Sequence, residues 1–305
     1  MRIGINGSSL IALNRPVSEI VDHAVEAERD GFASYWVAQL EVPDALTVLG
    51  AAGRETSTIE LGTAVIATWM RHPLMLAAQA LTVSDMSGGR LALGIGLAHK
   101  AVIEERLRIP FAHPAQHMEE YLAVLLPAMR DRSVDATGDI WSAFVEATGG
   151  PPEVAAPSVL LAAMGPRMLR LAGGTADGNI LWLSGPRTIE TLIVPAMADA
   201  AAEAGREPGR IVASVPVCVT DSPDEVRGII AAFLEGYNDL PSYRGVMDVE
   251  GVDGPAGVSL VGDEATVRAG VQSFADAGTT DFTPVEFALD DDARVRTREL
   301  LKSLL

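Results

Sequence analysis

The sequence predicts an α/β fold, specifically a (β/α)8 TIM barrel with two insertion segments. Three observations predict it. Short apolar runs alternate with longer helical patterns along nearly the whole chain, in about eight units. The runs lack the in–out alternation of a half-exposed sheet, as strands buried on both faces do. The 305 residues fit one barrel, and the two Gly/Pro-containing stretches read as insertions on it. An open doubly wound sheet is the alternative; eight units favour closure.

The elements follow in order. Ile3–Ile5 is a short strand. Val17–Asp30 places Ile20, Val21, Ala24, Val25 and Ala27 at helical spacing, with Gly31 as the stop. Ser34–Ala38 is the second strand, and Pro43-Asp44 opens a helix through Ala52. Thr58–Ile66 is the third strand, Pro73–Met86 its helix, Ser87-Gly88-Gly89 a turn and Leu91–Ile95 the fourth strand. Residues 114–130 form a further helix. Ser158–Ala162, Asn179–Leu183, Ile211–Val219 and Asp281–Val285 are strands. Pro166–Ala172, Pro186–Ala204, Pro223–Leu234 and Asp291–Leu304 are helices. Segments 132–157 and 236–262 break the repeat, and long loops of this kind often serve as lids. We expect one domain, residues 1–305.

Composition narrows the function. Hydrophobic residues make up 48% and charged residues 21%, which excludes disorder as the global state. The charge of −18 and the absence of a basic cluster argue against nucleic acid as a partner. The single cysteine, Cys218, excludes an intramolecular disulfide framework and any multi-cysteine metal site. Met1 to Ile5 run straight into polar Asn6-Gly7-Ser8-Ser9, without the apolar core of a signal peptide. No run approaches the roughly 18 apolar residues of a membrane span. These features lead us to expect a soluble cytoplasmic protein.

In a barrel the site lies at the C-terminal ends of the strands. That rule selects Asn6, Gly7 and Ser8; Gln39 and Glu41; the run Thr63 to Trp69; Gly94 to Lys100; Ala163 to Arg167; and Ser184 to Arg187. Among these there is no metal-spaced His/Asp/Glu cluster, no nucleophile elbow and no P-loop. Paired carboxylates are missing too, since Glu41 and Asp44 are the only acids at the early strand ends. The protein is expected to supply a cavity and orientation while a bound cofactor supplies the hard chemistry. Gly165-Pro166-Arg167 begins a helix at a strand end, where open N–H groups and a guanidinium favour an anion; an ordinary Pro-started helix gives the same pattern. Arg71-His72-Pro73 and Lys100 add positive charge near the mouth, or at the plain surface. His72 and His99 follow strand ends and are the better catalytic candidates. His23 reads as structural, and His113 and His117 as capping or surface residues. Trp69 is a lid or a packing residue.

The order Leu61-Gly62-Thr63-Ala64-Val65, Arg71-His72-Pro73, Ser87-Gly88-Gly89-Arg90-Leu91 and Leu93-Gly94-Ile95-Gly96 resembles the luciferase-like monooxygenase family, in particular its branch using the deazaflavin coenzyme F420. Ala163-Met164-Gly165-Pro166-Arg167, Ala172-Gly173 and Ala176-Asp177-Gly178 are similar to its cofactor-phosphate segment. The resemblance implies a bacterial-luciferase-like barrel and a cis peptide bond at Ala64–Val65 behind the ring; it also implies a homodimer, which the apolar excess of helix Pro73–Met86 and of Leu122, Val124, Leu125 and Leu126 on the next helix suggests as well. It places Thr63, Ala64, Val65, Thr68, Gly96, Leu97, Ala98 and Lys100 around the ring and ribityl chain, and Ala163, Met164, Gly165, Pro166 and Arg167 at the phosphate. FMN is the alternative cofactor. Two departures stand out: Gln39-Leu40 replaces an Asp-His pair, and Leu97 replaces a glutamate. Alcohol oxidation needs a base that neither position supplies. The expectation is therefore a reductase of a small molecule, with Asn6, Gln39, His72 and His99 as polarising or proton-carrying residues. An FMN-dependent monooxygenase and a non-catalytic deazaflavin-binding protein are the competing readings.

Overall fold

The computed structural model describes residues 1–151 and 153–305; residue 152, within the 132–157 segment, lies outside the described residues. The barrel strands are β1 in two segments (Arg2–Ile3 and Ile5–Asn6), β2 (Ser34–Val37), β3 (Glu60–Thr63), β4 (Leu91–Gly96), β5 (Ser158–Leu161), β6 (Gly178–Trp182), β7 (Arg210–Ser214) and β8 (Asp281–Phe282). Each pairs in parallel with the next in chain order. The break in β1 closes the ring: Arg2–Ile3 pairs with β8 and Ile5–Asn6 with β2. Gly4, between them, donates to Phe282 O at 2.9 Å. A Cβ at Gly4 would sit 2.2 Å from Ser34 Oγ, so the backbones can meet there only without a side chain.

Trp36, Ala92, Leu160, Ile180 and Val212, from five different strands, form one buried cluster, with Ala64, Val65 and Ala162 packed on it. Trp36 is the bulk of that cluster, and Gly62 makes room for it: a Cβ at Gly62 would lie 2.1 Å from the indole. At the N-terminal ends of the strands, Arg210 binds Glu60 at 2.7 and 2.9 Å and Asp281 at 2.8 Å, and Arg2 joins both acids. These four side chains start β7, β3, β8 and β1 and knit that end together. The C-terminal strand ends, where barrels carry their sites, lie opposite.

The structure corrects several predicted elements. The helix expected from Pro43 starts at Ala45 and runs to Glu55, because the Asp44 carboxylate accepts the Thr47 N–H and caps it. The predicted strand Thr58–Ile66 is Glu60–Thr63 and Ile66–Ala67, separated by Ala64 and Val65. The bond between those two is cis, as the resemblance implied. The predicted strand Ile211–Val219 divides at Val215. Its second part, Pro216–Val219, joins Leu260–Gly262 and Val285–Glu286 in a separate parallel sheet. Both parts are apolar and buried, so hydropathy could not show the division.

Segment 236–262 is more regular than expected, with a helix at Pro241–Glu250 and a 3-10 turn at Pro255–Val258. A helix at Glu264–Asp276 lies outside the predicted elements. Segment 132–157 carries a hairpin, Val134–Ala136 with Ala143–Val145. Helices Pro73–Met86 and Pro114–Arg130 match expectation. Their apolar excess, however, is largely used within the chain. Leu122, Val124, Leu125 and Leu126 are buried, as are Leu76, Ala77, Ala80 and Leu81, leaving Met75 and Met86 as the large exposed apolar residues of the first helix. No described helix is long and apolar enough to cross a membrane.

Candidate active site

The ends of β3, β4 and β5 meet around the Ala64–Val65 bulge. Thr63 is buried and its hydroxyl donates to Gly94 O at 2.7 Å. A Cβ at Gly94 would stand 2.0 Å from Thr63 O, and one at Gly96 would lie 2.9 Å from Val65 Cγ2 and 3.1 Å from Ala162 Cβ. Thr68, also buried, donates to Gly96 O at 3.3 Å. Past Gly96 the chain turns through Leu97 and Ala98, the latter in the left-handed region at φ 57°. Lys100 is exposed and pairs with Glu104 at 3.7 Å. Ala163 is held to β6 by Asn179, which both donates to it and accepts from it.

A cleft of 630 Å³ opens beside this turn, lined by Leu97, His113–Gln116 and Gly165–Met168. Two helices begin in it, Pro114–Arg130 and Pro166–Gly174, and neither has a side-chain cap. Ala115, Gln116, Arg167 and Met168, whose first-turn N–H groups lack that competition, line the cleft. Gly165 has open space where a Cβ would be. Arg167 is exposed and makes no ion pair among the described residues. Met164 is half-buried against the core. Of the predicted phosphate residues, Gly165, Pro166 and Arg167 thus line one cleft with Leu97, while Ala163 and Met164 pack with the core and do not line it.

The four residues expected to carry protons differ in how free they are. Asn6 is buried; its Nδ2 donates to Ser214 Oγ at 3.0 Å and its Oδ1 accepts the Ser8 N–H at 3.0 Å, so it ties β1 to β7. Gln39 Oε1 accepts from Ala45 N at 2.9 Å and from Arg71 at 3.3 Å, and its Nε2 donates to Leu40 O. His72 caps helix Pro73–Met86, its Nδ1 accepting from Leu74 N at 3.2 Å. The His99 ring makes no hydrogen bond among the described residues. It packs edge-on against Tyr237 and Tyr243, which come from the 236–262 segment, with centroids 5.8 Å away in each case. Burial lowers its pKa, so the ring is neutral at pH 7. No hydrogen bond joins any two of these four residues.

Four carboxylates on the loops at this end are engaged. Glu41 pairs with Arg106, and Asp44 with Arg71. Glu104 accepts from Phe111 N, and Glu250 from the N–H groups of Arg187 and Thr188.

His117 is a correction to the sequence reading, which placed it at a cap or on the surface. It is fully buried, stacks on Trp69 at 3.8 Å, and hydrogen-bonds Thr68 and Trp141. Burial is the main cause that pushes its pKa down, to about 4, against the Glu120 carboxylate, which raises it. The signal available in sequence was its position: with Tyr121 and Leu125 it marks the inward stripe of the helix. Trp69 is the packing residue of the two readings given for it, with its Nε1 buried and unpartnered. His113, at the N-cap position, makes no capping bond.

Two residues of the resembling segments, Arg90 and Asp177, lie at the opposite end of the barrel, just before β4 and β6. Arg90 donates to Gly53 O, Thr56 O, Thr56 Oγ1 and Ile59 O, fastening the Ala45–Glu55 helix to β3. Both oxygens of the Asp177 carboxylate accept from one Arg130 guanidinium nitrogen, at 2.8 and 2.7 Å, and its Oδ2 also accepts the Val159 N–H. Their role is to hold the barrel, not to contact a ligand at the mouth.

Comparison with known proteins agrees with this architecture. The chain is 27% identical over 300 residues to a 5,10-methylenetetrahydromethanopterin reductase of Methanolobus tindarius, covering 94% of this chain and 87% of that one. It is 28% identical over 259 residues to an F420-dependent glucose-6-phosphate dehydrogenase of Beutenbergia cavernae, covering 80% and 75%. The structure of the coenzyme F420 dependent tetrahydromethanopterin reductase from Methanopyrus kandleri superposes with a TM-score of 0.79 at 22% identity, over 99% of this chain and 97% of that one. The model of the luciferase-like monooxygenase family matches residues 4–281, and the chain belongs to that family.

Proposed function

We propose that the chain is an F420-dependent oxidoreductase, and that it favours reduction of an activated C=C or C=N bond in a small molecule over oxidation of an alcohol. The coenzyme assignment draws support from the relatives named above. The site is compatible with it. Two uncapped helix N-termini, the open face of Gly165 and the unpaired Arg167 suit a phosphate, and the packed wall of Val65, Gly96 and Ala162 suits a planar ring. Of the residues expected at the ring, Ala64, Val65, Leu97 and Ala98 are partly exposed and would border it, with buried Thr63, Thr68 and Gly96 supporting them from behind, and Gly165, Pro166 and Arg167 would hold the phosphate. Reduced F420 supplies a hydride when bound.

The direction rests on one observation: Glu41, Asp44, Glu104 and Glu250 are all engaged by cations or backbone N–H groups, which leaves none of them as a base for a hydroxyl proton. A positioned base contributes about 10²–10⁴-fold. Reduction asks less of the protein. The neutral His99 ring carries one proton on a nitrogen free of other partners and can hydrogen-bond an acceptor. Gln39 and Asn6 serve mainly to hold the loops around it. We further propose that the protein acts in the cytoplasm as a homodimer.

The test is titration of the purified protein with F420, FMN and nicotinamides, followed by anaerobic turnover. The expected result is tight F420 binding and oxidation of reduced F420 by an enone or imine panel, faster than any alcohol reduces F420. FMN binding with oxygen consumption would instead make the chain a monooxygenase, and tight binding without turnover a binding protein. Rapid reduction of F420 by glucose 6-phosphate or a secondary alcohol would overturn the proposed direction.

A further inference from the structure

His117 sits between the hairpin insertion and the turn at the mouth, and its partners determine where its proton lies. Trp141 Nε1 approaches His117 Nδ1 at 3.3 Å, and an indole nitrogen can only donate. Nδ1 must therefore present its lone pair. In a neutral ring the proton is then on Nε2, which faces Thr68 Oγ1 at 2.9 Å and donates to it. The Thr68 hydroxyl proton is left for Gly96 O at 3.3 Å. Every donor in this series has one acceptor and the direction is fixed throughout. The other tautomer would set two N–H groups against each other at Trp141 and draw the Thr68 proton away from Gly96.

The surroundings hold the series in place. His117 and Thr68 are both fully buried, and Trp69 covers one face of the imidazole. The Glu120 carboxylate accepts the N–H groups of Ile140 at 2.7 Å and Trp141 at 2.9 Å, which fixes the loop carrying the indole. At the far end, Gly96 packs against Val65 and Ala162 and leads into Leu97, which lines the cleft.

We infer that Trp141, His117 and Thr68 are positioning residues forming a directed hydrogen-bond chain through which the 132–157 hairpin sets the Gly96–Ala98 turn. Its effect on coenzyme affinity rests on the F420 reading; the hydrogen-bond chain itself does not.

The experiment begins with the coenzyme-free protein. Nitrogen-15 spectra of labelled histidine should show His117 with Nε2 protonated and Nδ1 unprotonated at neutral pH. In W141F the Nδ1 resonance should move toward the protonated form, and the Gly96 carbonyl and Leu97 amide should shift. T68V should shift the same two resonances, and adding W141F to T68V should shift them no further. F420 affinity should follow the same cycle: about three- to ten-fold weaker in W141F and in T68V, as for one neutral hydrogen bond, no weaker in the double variant than in T68V, and restored in T68S. A wild-type ring protonated at Nδ1, or additive effects of W141F and T68V on the shifts or the affinity, would overturn the inference. If F420 does not bind, the coenzyme reading fails, while the tautomer and the shift cycle still decide the chain.

Discussion

At the scale of single residues, burial and partner choice decide what each polar group can do. His117 is held neutral, with a pKa near 4 against an ordinary value of 6.5. The sign follows from linkage. Below 6.5 the unfolded chain takes up a proton that the folded ring refuses, so stability is fully present above that pH and is lost as pH falls toward 4. Between pH 7 and pH 5 the loss is about 2 kcal/mol. His117→Gln should show a correspondingly flatter profile by urea unfolding across that range, and an identical slope would show that the ring is not desolvated. Arg167 is the opposite case, an exposed guanidinium without a partner. Arg167→Ala should weaken F420 binding by about 1.5–2 kcal/mol, the lower range for a bond to a charged group. An unchanged dissociation constant at low salt would assign Arg167 to the plain surface. For His99, replacement by Phe preserves the contact with Tyr237 and Tyr243 and removes the N–H. Turnover of the preferred acceptor should fall about 10²-fold with little change in coenzyme affinity, whereas equal turnover would move the proton donor elsewhere.

At the scale of elements, strand ends do more than strand centres. β4 reaches the mouth as Gly94-Ile95-Gly96, and both glycines are contact requirements: their absent side chains let Thr63 and Val65 close in. Gly94→Ala would place a methyl 2.0 Å from the Thr63 carbonyl. The expected cost is about 3 kcal/mol, read as a drop in the unfolding midpoint, and a variant as stable as the parent would mean that β3 and β4 separate easily. The Ala64–Val65 bulge interrupts the third strand and redirects it, and the segment after it pairs with β4 again at Ile66 and Ala67. Carboxylates act as loop anchors in the same way. Burial alone would raise the Glu28 pKa, but the N–H groups of Thr58, Ile59 and Ser57 and the Thr58 hydroxyl lower it to about 2, so this carboxylate stays ionised and keeps the loop before β3 in place.

At the scale of the whole molecule, the barrel has one end fastened by ions and one end left for a ligand. Arg210, Glu60, Asp281 and Arg2 close the first, while the Pro241–Glu250 helix reaches over the second. Thr188 donates to Val246 O, and Glu250 accepts from the backbone of Arg187 and Thr188, so this helix is tied to the β6 end while its Tyr243 touches His99 after β4. The homodimer belongs to this scale. Its supporting surface is narrower than the sequence suggested, with Met75 and Met86 the large apolar residues exposed on helix Pro73–Met86. Sedimentation at micromolar concentration should give twice the chain mass, and a monomer under those conditions would refute the pairing.

The repeating pattern of apolar runs and helices was enough by itself to specify eight parallel strands in chain order, because each strand is buried on both faces and each helix carries one apolar stripe. The strand-end rule likewise led to the Gly165–Arg167 cleft and the Gly96–Ala98 turn, since both are local in sequence. Tertiary structure alone decided the rest. Gln39, Asn6 and His72 read as free polar groups until their amides and ring were seen to bond Ala45, Ser214 and Leu74, contacts that composition does not encode. His117 read as a surface group because a histidine four residues into a helix says nothing of what covers it; Trp69 and Trp141, 48 residues behind and 24 ahead in sequence, are what bury it. Arg90 and Asp177 belong to the resembling runs yet lie at the closed end, for a run of neighbouring residues spans a whole strand and so touches both ends of the barrel. Periodicity reports which face of an element is buried. Which polar group finds a partner depends on chain crossings far apart in sequence, and only the closed barrel brings those together.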